Sequence, residues 1–291
     1  MKTTTRYTTT ILSLALLLTL GGCVKDELHD TPHPDTGKVT VTADWSDRGE
    51  GVDIPASWHI AMGDYTGTET GATHSSDHLF SPGNYTLAVY NIPEGITVSG
   101  TTAAVAAADG GFIVNNTPGW FFTSVQEVAI EADTDYELTA VMHQQVRQLT
   151  LVIEPTGDAA ERIESIEGTL SGAAGTLDFA TGTHSTPSEV ELHFTKITDG
   201  DDAGKWTATV RLLGIAGDAQ RLTATLTYTD GNPQPTSLNS DLTAALDDFN
   251  NDKTTSLTLG GTLAETPGEA GFTGEITGWE TVDGGGVDAE M

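Results

Sequence analysis

The chain has 291 residues, 12 of them Lys or Arg and 42 Asp or Glu, for a formal net charge of −30. That balance excludes nucleic acid as a partner, because phosphate binding needs basic patches, and an anionic lipid surface would repel the body too. A single cysteine excludes an internal disulfide, so core burial alone must hold the fold.

In chain order, residues 1–22 read as a secretory signal. Lys2 and Arg6 precede an apolar run, Ile11 to Leu20, that ends in small residues. The run is shorter than the roughly 20 apolar residues a membrane span needs. Leu20-Gly21-Gly22-Cys23 resembles the bacterial lipobox. The resemblance implies cleavage between Gly22 and Cys23. It also implies a covalent diacylglycerol on the Cys23 thiol and an N-acyl chain, such as palmitate, on the new N-terminus. The chemistry needs a thiol there because the thiolate is the nucleophile. Several acyl chains anchor stably where one is marginal. Residues 23–37 are polar, carry Pro32 and Pro34, and read as a flexible tether. Their start, Lys25-Asp26-Glu27, resembles the export tag of Bacteroidota surface lipoproteins, which implies the outer membrane with the body facing outward.

After residue 38 the pattern is that of strands. Val39, Val41, Ala43 and Trp45 alternate with polar residues, as do Tyr85, Leu87 and Val89, and then Tyr136, Leu138, Ala140 and Met142. Further on, Val190, Leu192 and Phe194 alternate with Glu, His and Thr. Trp206, Ala208, Val210 and Leu212 do so with Thr and Arg, and Leu222, Ala224, Leu226 and Tyr228 with threonines. Period-two alternation means one buried and one wet face, an all-β antiparallel sandwich. Two short connector helices are expected. One starts at Asp158 and Glu161, spaced as a capping box before AAERIESI. In the other, Ser240 caps DLTAALDDF. The segment HQQVRQ, 143–148, marks a boundary, giving β-sandwich domains over 38–145 and 146–280 joined without a loose linker. Residues 281–291 form an acidic, Gly-rich tail, poor as a strand.

Candidate chemistry is sparse. His74 and His78 have the spacing of a helical metal pair but sit among Gly, Thr and Ser, which reads as a solvated loop. In TDGDDAG, 198–204, Asp199 and Asp201 fit a calcium loop while Ala203 does not, so a hairpin turn is the better reading. Asp247, Asp248, Asn250, Asn251 and Asp252 form a second oxygen-rich cluster. Weak calcium binding stays open at both places; no other cofactor is expected. No Gly-x-Ser-x-Gly occurs, a lipidated Cys23 cannot be a nucleophile, and no enzyme is expected. Of the tryptophans, Trp45 and Trp206 fit an inward strand phase. Trp120, with Phe121 and Phe122 beside the turn residues Thr117-Pro118-Gly119, is the best candidate for an exposed contact patch.

The order of elements carries a resemblance. Lipobox, acidic tether, Asp44-Trp45-Ser46, a strand from Trp58, Ser81-Pro82-Gly83-Asn84-Tyr85-Thr86-Leu87, YELTAVMHQQVRQLTLVIEP, IESIEGTLSG, Asn251-Asp252-Lys253 and GFTGEITGW follow one another. This series resembles the anchor-type minor subunits of the type V fimbriae of Bacteroidota, the fimbrillin B-like lipoproteins. The resemblance implies two transthyretin-like sandwiches. It implies an outer-membrane lipoprotein that anchors, terminates or caps a fimbria, with shaft or accessory subunits as partners through strand pairing. Stalk subunits of that class gain a vacant groove when a protease cuts after an N-terminal Arg; an anchor keeps its N-terminus. Arg48 is the only basic residue between Lys38 and Arg147. It is either such a cleavage site or, as we favour, an ordinary turn arginine. The alternative function is a surface glycan-binding lipoprotein.

Overall fold

The computed structural model describes residues 35–108, 112–113, 117–157, 160–231, 234–268 and 271–282. Gly22, Cys23, most of the tether and residues 283–291 lie outside them. Among the described residues the regular structure is strand, apart from 3₁₀ turns at Ala160–Arg162 and Thr229–Gly231. No described helix is long and apolar enough to cross a membrane.

The first half holds β1 (Gly37–Asp44), β2 (Trp58–Met62), β3 (Tyr65–Glu69), β4 (Thr73–Phe80), β5 (Gly83–Tyr90), β6 (Ile96–Ser99), β7 (Thr102–Val105), β8 (Ala107–Ala108) and β9 (Phe112–Ile113). β10 (Phe122–Ile130), β11 (Asp135–Val141) and β12 (His143–Gln144) follow. One sheet has the order β11-β1-β4 and a second β12-β10-β5-β2-β3. Their inward residues, among them Val39, Val41, Trp58, Ile60, Leu87, Val89, Phe122 and Met142, form one hydrophobic cluster. The alternation read from the sequence is the cause. In β1, Val39, Val41 and Ala43 point inward while Lys38, Thr40 and Thr42 stay partly exposed; in β5, Leu87 and Val89 join this cluster, and Ala88 between them is buried on the opposite face, against the second cluster.

The second half holds β13 (Arg147–Thr156), β14 (Ile163–Asp178), β15 (Thr183–Lys196), β16 (Trp206–Leu212), β17 (Arg221–Tyr228), β18 (Thr236–Asp241), β19 (Leu257–Gly268) and β20 (Gly271–Thr281). They pair in the circuit β14-β17-β18-β20-β19-β13-β16-β15, which β14 closes by pairing with β15. Two seams in the circuit are thin. β15 meets β16 through Thr195↔Thr207 and Lys196↔Trp206. β18 meets β20 through Leu238↔Gly274 alone. Leu149, Leu151 and Ile153 of β13 and Leu222, Ala224, Leu226 and Tyr228 of β17 point into the second cluster. Strands β7 and β9 also pair onto this circuit, with β14 and β15 respectively, although they precede β10 in the chain.

The all-β sandwich expectation is met, and most pairs are antiparallel. Four pairs run parallel: β1 with β11, β13 with β19, β9 with β15, and β18 with β20. Of the two expected connector helices, the first is reduced to the 3₁₀ helix Ala160–Arg162 and the second is corrected to turns. Asp158 is outside the described residues. Glu161 lies in the 3₁₀ turn, and the strand β14 starts at Ile163, because Ile163, Ile166 and Leu170 bury their side chains, Ile163 pairing with β17 and Ile166 and Leu170 with both β15 and β17. Residues 243–250 are a run of turns. Leu242, Leu246 and Phe249 are buried as their spacing implies, but only Leu246 N–H reaches back four residues, to the Leu242 carbonyl at 3.0 Å. Asp247, Asp248, Asn250 and Asn251 compete for the backbone and stop propagation. The start is capped by Asp241, whose Oδ1 accepts from Thr243 N–H at 2.9 Å, while Ser240 belongs to β18.

Candidate functional site: the first strand and its clasp

β1 is the middle strand of its sheet. It runs parallel to β11 from Lys38↔Asp135 to Asp44↔Val141 and antiparallel to β4, with a register shift between Lys38 and Thr40. Both edges are therefore hydrogen-bonded, and Val39, Val41 and Ala43 are buried beneath it. Each of the two valines contributes about 1.5–3 kcal/mol of burial. Removing this segment would leave two unpaired edges facing an open apolar groove.

The chain after β1 is tied down residue by residue. Trp45 meets the Phe122 ring edge-on at 5.5 Å. Ser46 N–H donates to Asp44 Oδ1 at 2.9 Å, and this bond holds the Asp44 carboxyl below its usual value. The Arg48 guanidinium donates to the Trp45 carbonyl at 2.9 Å and the Val52 carbonyl at 3.0 Å. Gly49 is buried, and its N–H donates to Gln144 Oε1 at 2.9 Å. A Cβ at Gly49 would lie 2.5 Å from the Thr254 carbonyl oxygen, so only glycine fits.

Gln144 belongs to the 143–148 junction, and that junction acts as a polar clasp. The Gln144 amide also donates to Val146 O at 2.9 Å and to Lys253 O. Gln145 Oε1 accepts from Lys253 Nζ at 2.9 Å, and Gln145 N–H donates to Phe121 O at 2.7 Å. Arg147 is buried. It donates to Thr255 O at 2.7 Å and Phe249 O at 2.9 Å, and lies over the Phe249 ring. Burial lowers the Arg147 pKa, opposed by the charge of Asp252. Burial pushes Lys253 down to about 8. His184, 3.2 Å from Lys253 Nζ, is lowered to about 4 by burial and then by the Lys253 charge. Sequence reasoning passed over Gln144 and Gln145; uncharged amides at a strand junction carry no motif.

The other candidates fall elsewhere. Arg48 is exposed and donates to the carbonyls of Trp45 and Val52. The expected contact patch is corrected: Phe121 and Phe122 are each 0% exposed, and Trp120 packs against both hydrophobic clusters. Buried Asn91 brackets this stretch, donating to Trp120 O at 2.8 Å and accepting from Phe122 N–H at 2.7 Å. Arg211 covers the Trp120 ring at 5.2 Å. His74 and His78 are on β4, not in a loop. Both rings pack on Tyr65, at 6.0 and 5.0 Å between centroids, and His74 bonds the Tyr65 hydroxyl at 2.8 Å. Asp199 and Asp201 lie in the β15–β16 hairpin, which Ile197 and Lys205 close at 2.8 Å. Asn250 is occupied with both backbone groups of Ile215, and Asp252 with Thr254 and Thr255. Among the described residues no group of three His, Cys, Asp or Glu could hold a metal.

Two hydrophobic clusters, an almost purely strand fold and a centrally paired first strand define an all-β sandwich protein. The sequence profile of the fimbrillin-A associated anchor proteins Mfa1 and Mfa2 matches residues 62–284, and the chain belongs to that family. No curated protein matches it in sequence. Its fold is similar to that of a candidate adhesin from Bacteroides ovatus (TM-score 0.55, 17% identity, covering 77% of this chain and 87% of the other). The fimbrial anchor protein Mfa2 from Porphyromonas gingivalis is also similar (0.52, 14%, covering 84% and 97%). So is a candidate polysaccharide-binding protein from Bacteroides thetaiotaomicron (0.52, 9%, covering 84% and 98%).

Proposed function

We propose that this chain is a fimbrial anchor: a lipoprotein, acylated at Cys23, that holds the membrane end of a surface fibre and works through protein–protein contacts without catalysis. The supporting observation is the state of β1. In a strand-exchanging fibre a subunit that must accept a neighbour's strand needs a vacant groove. Here that groove is filled by the chain's own β1, paired on both sides. The loop that would have to be cut to vacate it is clasped through Arg48 and Gly49. A chain that keeps β1 also keeps the tether leading back to Cys23. Such a subunit terminates the fibre and stays attached, with fimbrial shaft or accessory subunits as partners and the outer membrane as its site.

The test is fractionation with fatty-acid labelling. Cys23→Ala moves the chain from the membrane to the soluble fraction, removes the label and sheds fibres into the medium. A variant that stays membrane-bound refutes the anchor. Fibres that remain on cells after deletion of the chain refute its role at their base.

A further inference from the structure

Strands β18 and β20 share the ladder pair Leu238↔Gly274 and, further along, are joined by the Ser240 Oγ–Ile276 O bond at 3.1 Å. The wedge between them and the 243–250 turns is a groove of about 500 Å³. Arg221, Asn239, Asp241, Ala245, Gly278 and Trp279 line it. It is separate from the β1 clasp and plays no part in it.

The groove is built around a fixed indole. Trp279 Nε1–H donates to Ser240 Oγ at 2.7 Å, and Ser240 Oγ donates onward to Ile276 O at 3.1 Å. The ring rests on Gly261, where a Cβ would come within 3.1 Å of two ring atoms. With its N–H committed, the half-buried ring can offer only its π-surface to the groove. Beside it stand an acceptor and two donors. Asp241 has one oxygen engaged by Thr243 N–H, at 2.9 Å, and the other 3.7 Å from Arg221 Nη2. Asn239 accepts from the Thr223 hydroxyl through Oδ1, at 3.1 Å, which directs its NH₂ outward to donate.

An apolar ring surface flanked by a carboxylate, a guanidinium and an amide matches a pyranose. One face of such a sugar is a sheet of C–H groups, and its rim is a row of vicinal hydroxyls that both donate and accept. The lining carries one anion and one cation in contact, so the groove itself is close to neutral. The chain around it, at −30, repels acidic sugars. We propose that this groove is a binding subsite for a neutral glycan, stacking one sugar ring on Trp279 and bonding its hydroxyls to Asp241, Arg221 and Asn239. The inference stands apart from the anchor reading, and failure of the Cys23 test leaves it untouched.

Affinity electrophoresis of the full chain in gels of yeast mannan, dextran and guar galactomannan, with hyaluronan as the acidic comparison, tests it. The wild type is retarded by at least one neutral gel and not by hyaluronan. Asp241→Asn removes charge-assisted bonds, and Trp279→Phe shrinks the stacking surface while keeping a ring on Gly261; each weakens retardation roughly tenfold. Unchanged circular dichroism confirms that both variants are folded. Should Trp279→Phe open the seam, Asp241→Asn alone carries the test. No retardation in any neutral gel overturns the proposal, as does retardation by hyaluronan alone or retardation that neither variant alters.

Discussion

The clasp makes a quantitative prediction about proteolysis at Arg48. An Arg-specific protease needs several residues around the scissile bond in an extended, free conformation, so the 45–52 segment must first leave the fold. Leaving breaks the two Arg48 carbonyl bonds and the Gly49–Gln144 bond. Gln144→Ala removes the acceptor that the buried Gly49 N–H uses in the closed state and leaves that group without a partner. One orphaned buried donor costs about 1–3 kcal/mol. Taking about 2 kcal/mol, the open population rises roughly 30-fold. When opening is fast against cleavage, the cutting rate follows that population. Limited trypsinolysis read by intact mass therefore shows slow cutting after Arg48 in the wild type and cutting roughly 30-fold faster in Gln144→Ala. The urea midpoint reports how much of the effect is global. A wild type cut at Arg48 as fast as the variant would refute the reasoning, since the bond would then not be held at all.

Two further outcomes follow from the same structure. Burial lowers Lys253 to about 8 from 10.5, so between those values the unfolded chain binds a proton that the folded chain does not, and stability rises with pH through that window. His184, lowered to about 4 from 6.5, does the same lower down: its contribution is complete above 6.5 and is lost as pH falls toward 4. Lys253→Met flattens the upper rise in urea midpoints and raises the His184 pKa in an NMR titration, because it removes a neighbouring charge; an unmoved His184 contradicts the coupling. Phe122→Ala lowers Tm by about 10 °C, the consequence of a cavity costing roughly 3–5 kcal/mol. A melting curve that coincides with the wild type would restore Phe122 to the surface.

What the sequence revealed depended on how local the cause was. β16 and β17 are legible because each has one buried face, and Thr between Leu, Ala and Val shows it without ambiguity. β14 was hidden because its start looks like a helix cap, and the pairing that overrides this comes from β15 and β17, far along the chain. Residues 243–250 carry helical spacing in their buried side chains, but their Asp and Asn composition does not sustain a helix. Trp120-Phe121-Phe122 misled because Pro-Gly before an aromatic run reads as exposed loop. Here the turn delivers the rings into the place where the two clusters meet. The clasp could not be read at all: Gln144 meets Gly49 and Lys253 across separations of 95 and 109 residues.

That long-range stitching bears on what an anchor must withstand. Under the proposed anchoring through Cys23, tension on the fibre would reach β1 at its N-terminal end, Gly37. An edge strand pulled from one end can unzip one hydrogen bond at a time; β1 is flanked by β11 and β4, so its two ladders resist together. At its far end the load passes through Trp45 to Phe122 and through Gly49 to Gln144. Gln144 and its neighbours Gln145 and Arg147 then hand it to Lys253, Thr255 and Phe249, next to β19 in the second core. In that proposal, the strand that fills the groove would also bear the load. On the proposed reading, keeping β1 uncut closes the fibre at this subunit and links β1 to both hydrophobic cores at once.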